Sequence, residues 1–398
     1  MREIVLFPSR LVRLLTLLVA FVLISGAGSE ARAVNIPSFT AISTNGRNVC
    51  AIKADSTLWC WGEGHGRGWV FVPNPDDDGP SEVAASPLLI PELSDVEAVT
   101  VGETLTCALK HDHTVWCWGR NDVGQLGSFE GELSETAVQI EGLVSVKSVS
   151  AGGSHACALS ESGTVQCWGS NKYGQLGDGT TIDRVAPVRV LTLAKVKSID
   201  AGSNHTCAVK MNGRAWCWGK NLSGMLGDGT TANRSVPVKV LKVSAFRTIE
   251  ASVDHTCGIS VSGYAYCWGS NGSYDPLWYD VSGQLGIGIR GGMRKVPHKV
   301  LVLGRVLQVS LGHYHTCAIN TLNQVYCWGW AIEPFKLQET LDRSRPKYVA
   351  GGEDFIAIAR GGATGCGLKS DGTAWCWGVP TMGIDSGAEP KLVSGSTD

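Results

Sequence analysis

Between residues 187 and 219 short apolar stretches alternate with polar breaks: Pro187-Val188-Arg189-Val190, then Val196-Lys197-Ser198-Ile199-Asp200-Ala201-Gly202, His205-Thr206-Cys207-Ala208-Val209-Lys210, and Arg214-Ala215-Trp216-Cys217-Trp218-Gly219. Each run is β-branched or alternating in polarity and is bounded by Gly, Asn or Ser, which predicts four short strands joined by tight turns. A polar loop over residues 221–236 follows and contains Gly224-Met225-Leu226-Gly227-Asp228-Gly229-Thr230. This order of runs and loop recurs along the whole chain.

Its plainest marker is cysteine. The 14 cysteines form seven pairs separated by ten residues: Cys50 with Cys60, Cys107 with Cys117, Cys157 with Cys167, Cys207 with Cys217, Cys257 with Cys267, Cys317 with Cys327 and Cys366 with Cys376. First cysteines of successive pairs lie 57, 50, 50, 50, 60 and 49 residues apart, so seven units of similar length make up the chain. Four strands and a loop repeated seven times describe an all-β, seven-bladed propeller, which is one domain despite the 398-residue length.

Hairpin arithmetic predicts how the cysteines pair. A three-residue loop at Glu161-Ser162-Gly163 sets Ser160 against Thr164, Leu159 against Val165 and Cys157 against Cys167. Directly opposed residues are close enough for a disulfide, and the same count holds in the other six units. A structural zinc site wants close C-x-x-C pairs, of which the sequence has none. Buried free thiols do not explain seven pairs of fixed spacing.

The Pro-Val run precedes each later pair, at Pro187, Pro237, Pro297 and Pro346 and less closely at residues 137–140 and 88–90, whereas the first pair lacks one. A spare copy, Pro390-Lys391-Leu392-Val393, follows the last pair. The expectation is therefore a ring closed by the C-terminal strand completing the first blade.

Charge narrows the class of partner. With 34 Lys plus Arg against 36 Asp plus Glu, the net charge is −2, and no basic stripe offers itself to nucleic acid. Arg2, Arg10 and Arg13 precede the apolar run 14–24, and small residues lead to Ala31-Arg32-Ala33, the pattern of an export signal cleaved after Ala33. The expected organisation is a signal peptide over 1–33 and a propeller over 34–398. The product is expected to be secreted, in the extracellular space, the periplasm or at the cell surface. Once the signal is removed, a monomer with no membrane association is expected.

The composite motif resembles the regulator of chromosome condensation repeat family. The residues are Ala151-Gly152-Gly153-Ser154-His155-Ala156-Cys157-Ala158-Leu159, Ser162-Gly163-Thr164-Val165, Trp168-Gly169-Ser170-Asn171, Gly174-Gln175-Leu176-Gly177-Asp178-Gly179-Thr180 and Pro187-Val188. The resemblance spans residues 36–394 and implies a seven-bladed propeller. The GQLG-type loop recurs at 124–127, 174–177 and 283–286, and as Gly224-Met225-Leu226-Gly227, but not in units one, six and seven. The resemblance also implies two contrasting activities: nucleotide exchange on a Ras-like nuclear GTPase, or, as in secreted bacterial propellers that include a β-lactamase inhibitor, protein binding by one rim. Paired cysteines behind an export signal favour the second.

Candidate chemistry is sparse. His155, His205, His255 and His315 repeat, but Asn48, Leu105 and Thr364 replace them elsewhere, so a symmetric metal cluster is not expected and packing between blades is. The seven Trp-Gly steps read as core. Asp76-Asp77-Asp78 lacks the spacing and glycine of a calcium loop and reads as a solvated acidic loop. No nucleophile elbow, zinc-protease motif or phosphate loop occurs, so no catalytic residue, cofactor or enzyme activity is expected. Function is sought where repeats deviate: at Trp69 and Phe71 in unit one, at Tyr274, Trp278 and Tyr279 in the longer loop of unit five, and at Trp330 and Phe335 in unit six. A non-enzymatic scaffold binding an unidentified protein is the reading, with the exchange factor as runner-up and an enzyme inhibitor or carbohydrate-binding propeller as a further alternative.

Overall fold

The computed structural model describes residues 38–45, 47–63, 83–128, 131–272, 283–301, 303–330, 343–362, 364–378 and 390–393. Seven four-stranded antiparallel sheets stand as blades around a central channel, and no helix occurs among the described residues. Blade 4 serves as the pattern: Val196–Ala201 is innermost, followed outward by His205–Lys210, Ala215–Gly219 and Arg234–Lys239. The second and third strands carry the cysteines, and Cys207 lies directly opposite Cys217.

All seven disulfides expected from the spacing are present. Cys50 is bonded to Cys60, Cys107 to Cys117, Cys157 to Cys167, Cys207 to Cys217, Cys257 to Cys267, Cys317 to Cys327 and Cys366 to Cys376. Their Cα–Cα separations are 4.0 to 4.1 Å, and no cysteine is free among the described residues. The hairpin explains the closeness. Ser160 N donates to Thr164 O at the turn. Counting inward by alternation puts Cys157 and Cys167 at a non-hydrogen-bonded pair, where opposed residues approach most closely. The turn needs a left-handed residue. Gly163 supplies it at φ 78°, while Ser56, His113 and Asn323 adopt 63°, 67° and 57° in the blades that lack glycine there.

Ring closure differs from the expectation. The run containing Pro187-Val188 is not the first strand of blade 4; as Arg184–Arg189 it is the outermost strand of blade 3, with Val188 opposite Cys167. A strand added inside Val196–Ala201 would have to occupy the channel that the inner strands already line. The chain instead folds back after Trp168-Gly169 and pairs on the outer side. Proline suits that place, because an outer edge strand loses nothing when one N–H is missing. The C-terminal run accordingly completes blade 7, with Leu392 opposite Trp375 and Lys391 opposite Cys376, and blade 1 has its own inner strand, Phe39–Thr44. The ring closes by packing: Phe39, Val49, Ala51 and Trp61 share a core with Cys366, Leu368, Ala374 and Val393, and Phe39 N donates to Gly372 O at 3.0 Å.

The cores lie between blades. Leu159, Val165, Cys157 and Cys167 of blade 3 pack with Val196, Ala208 and Trp218 of blade 4. Each disulfide is thus sealed beneath the next blade, at 0 to 1% exposure.

Candidate functional site

Two faces flank the ring. One carries the hairpin turns and the connections between blades; the other carries the turns after the inner strands and the GQLG-type loops. On this loop face the channel opens through a small cavity of about 90 Å³ lined by residues of all seven blades, among them Asn45, Glu103, Ser203, Ser252 and His313. Blade-to-blade hydrogen bonds knit the mouth. Asn45 Nδ2 donates to Gly102 O at 2.7 Å, Thr104 Oγ1 to Gly153 O at 2.7 Å and Ser252 Oγ to Gly312 O at 2.6 Å, while Ser203 donates to the Glu103 carboxylate from two blades away. Gly202 stands where any Cβ would collide with the Ser252 carbonyl and the His205 ring.

Below the mouth one residue per blade, opposite the first cysteine of each pair, forms a second ring: Ser43, Thr100, Ser150, Asp200, Glu250, Ser310 and Ala359. The inner edge of a blade exposes backbone N–H groups that need partners. Ser43, Thr100, Ser150 and Asp200 provide them for the next blade, accepting from Val101, Ala151, Ala201 and Ala251 at 3.0, 3.2, 2.9 and 2.6 Å. Asp200 and Glu250 bring two carboxyls to neighbouring blades. Desolvation in the channel raises both above the ordinary carboxylate range, and the Asp200 charge raises Glu250 further.

The repeated histidines hold blades together. His155 Nε2 meets Thr206 Oγ1 of the next blade at 2.9 Å; His205 meets Thr256, and His255 meets Thr316, at the same distance. Each threonine hydroxyl in turn donates to a loop carbonyl, of Gln175, Met225 or Gln284, which also accepts from the indole N–H of Trp218, Trp268 or Trp328. Because the hydroxyl proton is already committed, the histidine donates from Nε2. Nδ1 of His155, His205 and His255 is buried with no hydrogen-bond partner. Burial holds these imidazoles neutral, with pKa values pushed down to about 4, 3 and 3. The partner of His155, His205 and His255 is thus a threonine hydroxyl of the next blade, a contact that only the blade-to-blade geometry reveals. The loop carbonyl is placed by the GQLG turn, where Gly177 at φ 70° leaves no room for a Cβ beside the Trp218 indole nitrogen.

Trp69, Phe71, Tyr274, Trp278, Tyr279 and Phe335, and the aspartates 76–78, lie outside the described residues. Trp330 is described. It stands on the loop face of blade 6, 46% exposed, with Tyr314 at 40% beside it in an edge-to-face contact of 6.0 Å. Trp330 N donates to Tyr314 O at 2.8 Å, which fixes the pair next to His313 at the channel mouth. Tyr314 was invisible as a surface residue in the sequence because its neighbours match the repeat.

Residues 26–288 match the description "RCC1-like domain", and residues 306–330 match "Regulator of chromosome condensation (RCC1) repeat". The chain belongs to the RCC1-like domain family. Among curated proteins the human probable E3 ubiquitin-protein ligase HERC6 is 33% identical over 110 residues, 25% of this RCC1-like chain, which spans only 10% of that relative's length. Human WBSCR16 has the same fold at a TM-score of 0.70 and 19% identity, covering 85% of this chain and 94% of the other. Prp20p from Saccharomyces cerevisiae, described with its binding properties to Gsp1p and histones, gives 0.66 at 21% identity, covering 84% of each chain.

Proposed function

We propose that this RCC1-like propeller is an exported, non-enzymatic binding scaffold whose loop face engages a protein partner. The observation that carries the reading is the pair formed by Tyr314 and Trp330. Two large aromatics pack edge to face and stand half exposed beside the channel mouth, in one of the three blades that lack the GQLG loop. Rigid aromatics are the side chains that anchor interfaces at low entropic cost. Blade 6 and the lengthened loop of blade 5 are neighbours in sequence order, so Tyr274, Trp278 and Tyr279 are proposed as extensions of the same surface.

Seven disulfides support an oxidising compartment over the reducing one in which nucleotide exchange on small GTPases takes place. Ligase chemistry is not carried over from HERC6, since the shared segment is a tenth of that protein. Partner binding by the propeller, as the description of Prp20p records for Gsp1p and histones, is the property proposed for this chain. The test is affinity capture from the exported fraction with the native chain and with Tyr314→Ser/Trp330→Ser. A partner recovered by the first and lost by the second supports the loop face; equal recovery by both removes it.

A further inference from the structure

The opposite face is electrically divided. The connections and hairpin turns of blades 4 to 6, residues 191–197, 210–214, 241–247, 260–264, 301–307 and 320–324, hold Lys195, Lys197, Lys210, Arg214, Lys242, Arg247 and Arg305 and not one Asp or Glu. The matching segments of blades 7, 1 and 2 hold Glu353, Asp354, Asp371, Asp55, Glu92, Asp95, Glu97 and Asp112 against Lys369, Lys53 and Lys110. Hydrogen bonds from Thr57, Thr114 and Thr373 hold Asp55, Asp112 and Asp371 below the ordinary carboxylate range.

The segments share one face because they bond to one another. Met211 N donates to Lys195 O at 2.8 Å, Val261 N to Ala245 O at 3.2 Å, Thr321 N to Arg305 O at 3.2 Å and Phe246 N to Gly213 O at 2.7 Å. Lys195, Lys197, Arg214, Lys242 and Arg305 are exposed, and none has a carboxylate partner among the described residues. Between them stand apolar hairpin tips, Met211 at 69%, Val261 at 69% and Leu322 at 74% exposure, with Leu307 at 46% on the adjoining inner strand. The corresponding tips of blades 1, 2, 3 and 7 are polar: Ala54-Asp55, His111-Asp112, Glu161-Ser162 and Ser370-Asp371.

From this sector we infer a docking surface for anionic lipid membranes, in which Met211, Val261 and Leu322 enter the headgroup–acyl boundary and the surrounding lysines and arginines meet lipid phosphates. Met211 and Val261 occupy the same position in successive blades and Leu322 the next, so the ring presents the tips at a common height, as a flat bilayer requires. Apolar tips ringed by cations match the two attractions that hold peripheral proteins on anionic membranes. The acidic half of a second copy answers the cations but would bury the three tips against charge. The surface runs against the sequence expectation of no membrane association, because the cations converge only when blades 4 to 6 are assembled. It is independent of the loop-face reading, since the two surfaces lie on opposite faces.

The test is co-sedimentation of the full, disulfide-bonded chain with phosphatidylcholine vesicles and with vesicles that also contain phosphatidylglycerol, the readout being the excess on the anionic ones. The expected result is an excess that falls more than tenfold in high salt, more than tenfold with Lys195→Glu/Lys197→Glu/Lys242→Glu, and at least severalfold with Met211→Ser/Val261→Ser/Leu322→Ser. Each variant should keep the wild-type melting temperature, all six side chains being exposed. Equal sedimentation with both vesicle types, or an excess that survives either triple substitution, overturns the inference. A salt-sensitive dimer without vesicle binding also overturns it, in favour of pairing between copies.

Discussion

Two junctions between blades solve one packing problem in different ways. Between blades 3 and 4, and again at the next two junctions, a histidine, a threonine, a loop carbonyl and a tryptophan form a closed polar chain. Between blades 2 and 3 both ends have changed together: Leu105 stands for the histidine and Ala156 for the threonine, while Trp168 still donates to the Gln125 carbonyl at 3.0 Å. A buried polar pair and an apolar pair thus fill the same place between blades, and taking one partner from the polar pair should be costly, because an orphaned buried polar group costs more than a satisfied one contributes. The tryptophan and its carbonyl are common to both types and should matter most.

The largest effect is therefore expected at the shared element. Trp218→Ala removes a side chain with 0% exposure and orphans the Gln175 carbonyl from its indole donor, and should cost about 3–5 kcal/mol in chemical denaturation. A loss below about 1 kcal/mol would mean that the junction collapses around the gap and that tryptophan is not its keystone.

Next come the partners that differ. His205→Leu alone leaves the Thr256 hydroxyl beside an apolar group and should cost about 1–3 kcal/mol. His205→Leu/Thr256→Ala, which copies the junction of Leu105 with Ala156, should recover most of that. If the double variant is as unstable as the sum of the singles, the two junction types are not interchangeable and the comparison fails.

The repeat period, the strand count and the hairpin register were legible because cysteine spacing and turn residues are local, and Cys157 opposite Cys167 follows from a three-residue loop alone. Strand phase was less so. Pro187 was visible, but placing its strand needed the recognition that proline belongs on an outer edge and that the channel side is closed to a further strand. The histidine–threonine pairing was hidden for another reason: the partners are 51 residues apart in the first two clips and 61 in the third, so only the stacking of blades brings them together. Asp200 and Glu250 looked like ordinary polar positions on inner strands, and their convergence depends on closure of the ring. Tyr314 sits within a matching motif, and its exposure comes from what the neighbouring loop lacks.

The polar junctions also predict a pH dependence that the apolar junction cannot have. His155, His205 and His255 have folded-state pKa values of about 4, 3 and 3, below the ordinary 6.5, so the unfolded chain takes up protons that the folded chain refuses. Their contribution is complete well above pH 6.5 and is lost as pH falls from 6.5 through about 4 for His155 and about 3 for His205 and His255. Each proton is worth about 1.4 kcal/mol per pH unit. Asp200, raised to about 6, acts in the opposite direction between 3.8 and 6 and flattens part of the slope. His205→Leu/Thr256→Ala should therefore reduce the stability slope near pH 5 by close to one proton. An unchanged slope would show that these histidines take up protons in the folded state as readily as in the unfolded one.

The smallest expected effect separates the clips from the channel. Glu250 is held protonated more readily in the folded state than in the unfolded one, first by desolvation and then by the Asp200 charge, so its contribution is present below the ordinary carboxylate pKa and is lost as pH rises through the raised one. A glutamine side chain in its place carries no charge at any pH. Glu250→Gln should accordingly leave stability near pH 4.5 almost unchanged and add about 1 kcal/mol at pH 8, where the wild-type ring must either ionise the second carboxyl or hold a proton against the solvent. The sign is opposite to that of the histidines, so melting temperatures of the two variants across the same pH range discriminate between them. A gain that is equal at both ends of the range would assign the effect to packing in the channel rather than to the paired carboxyls.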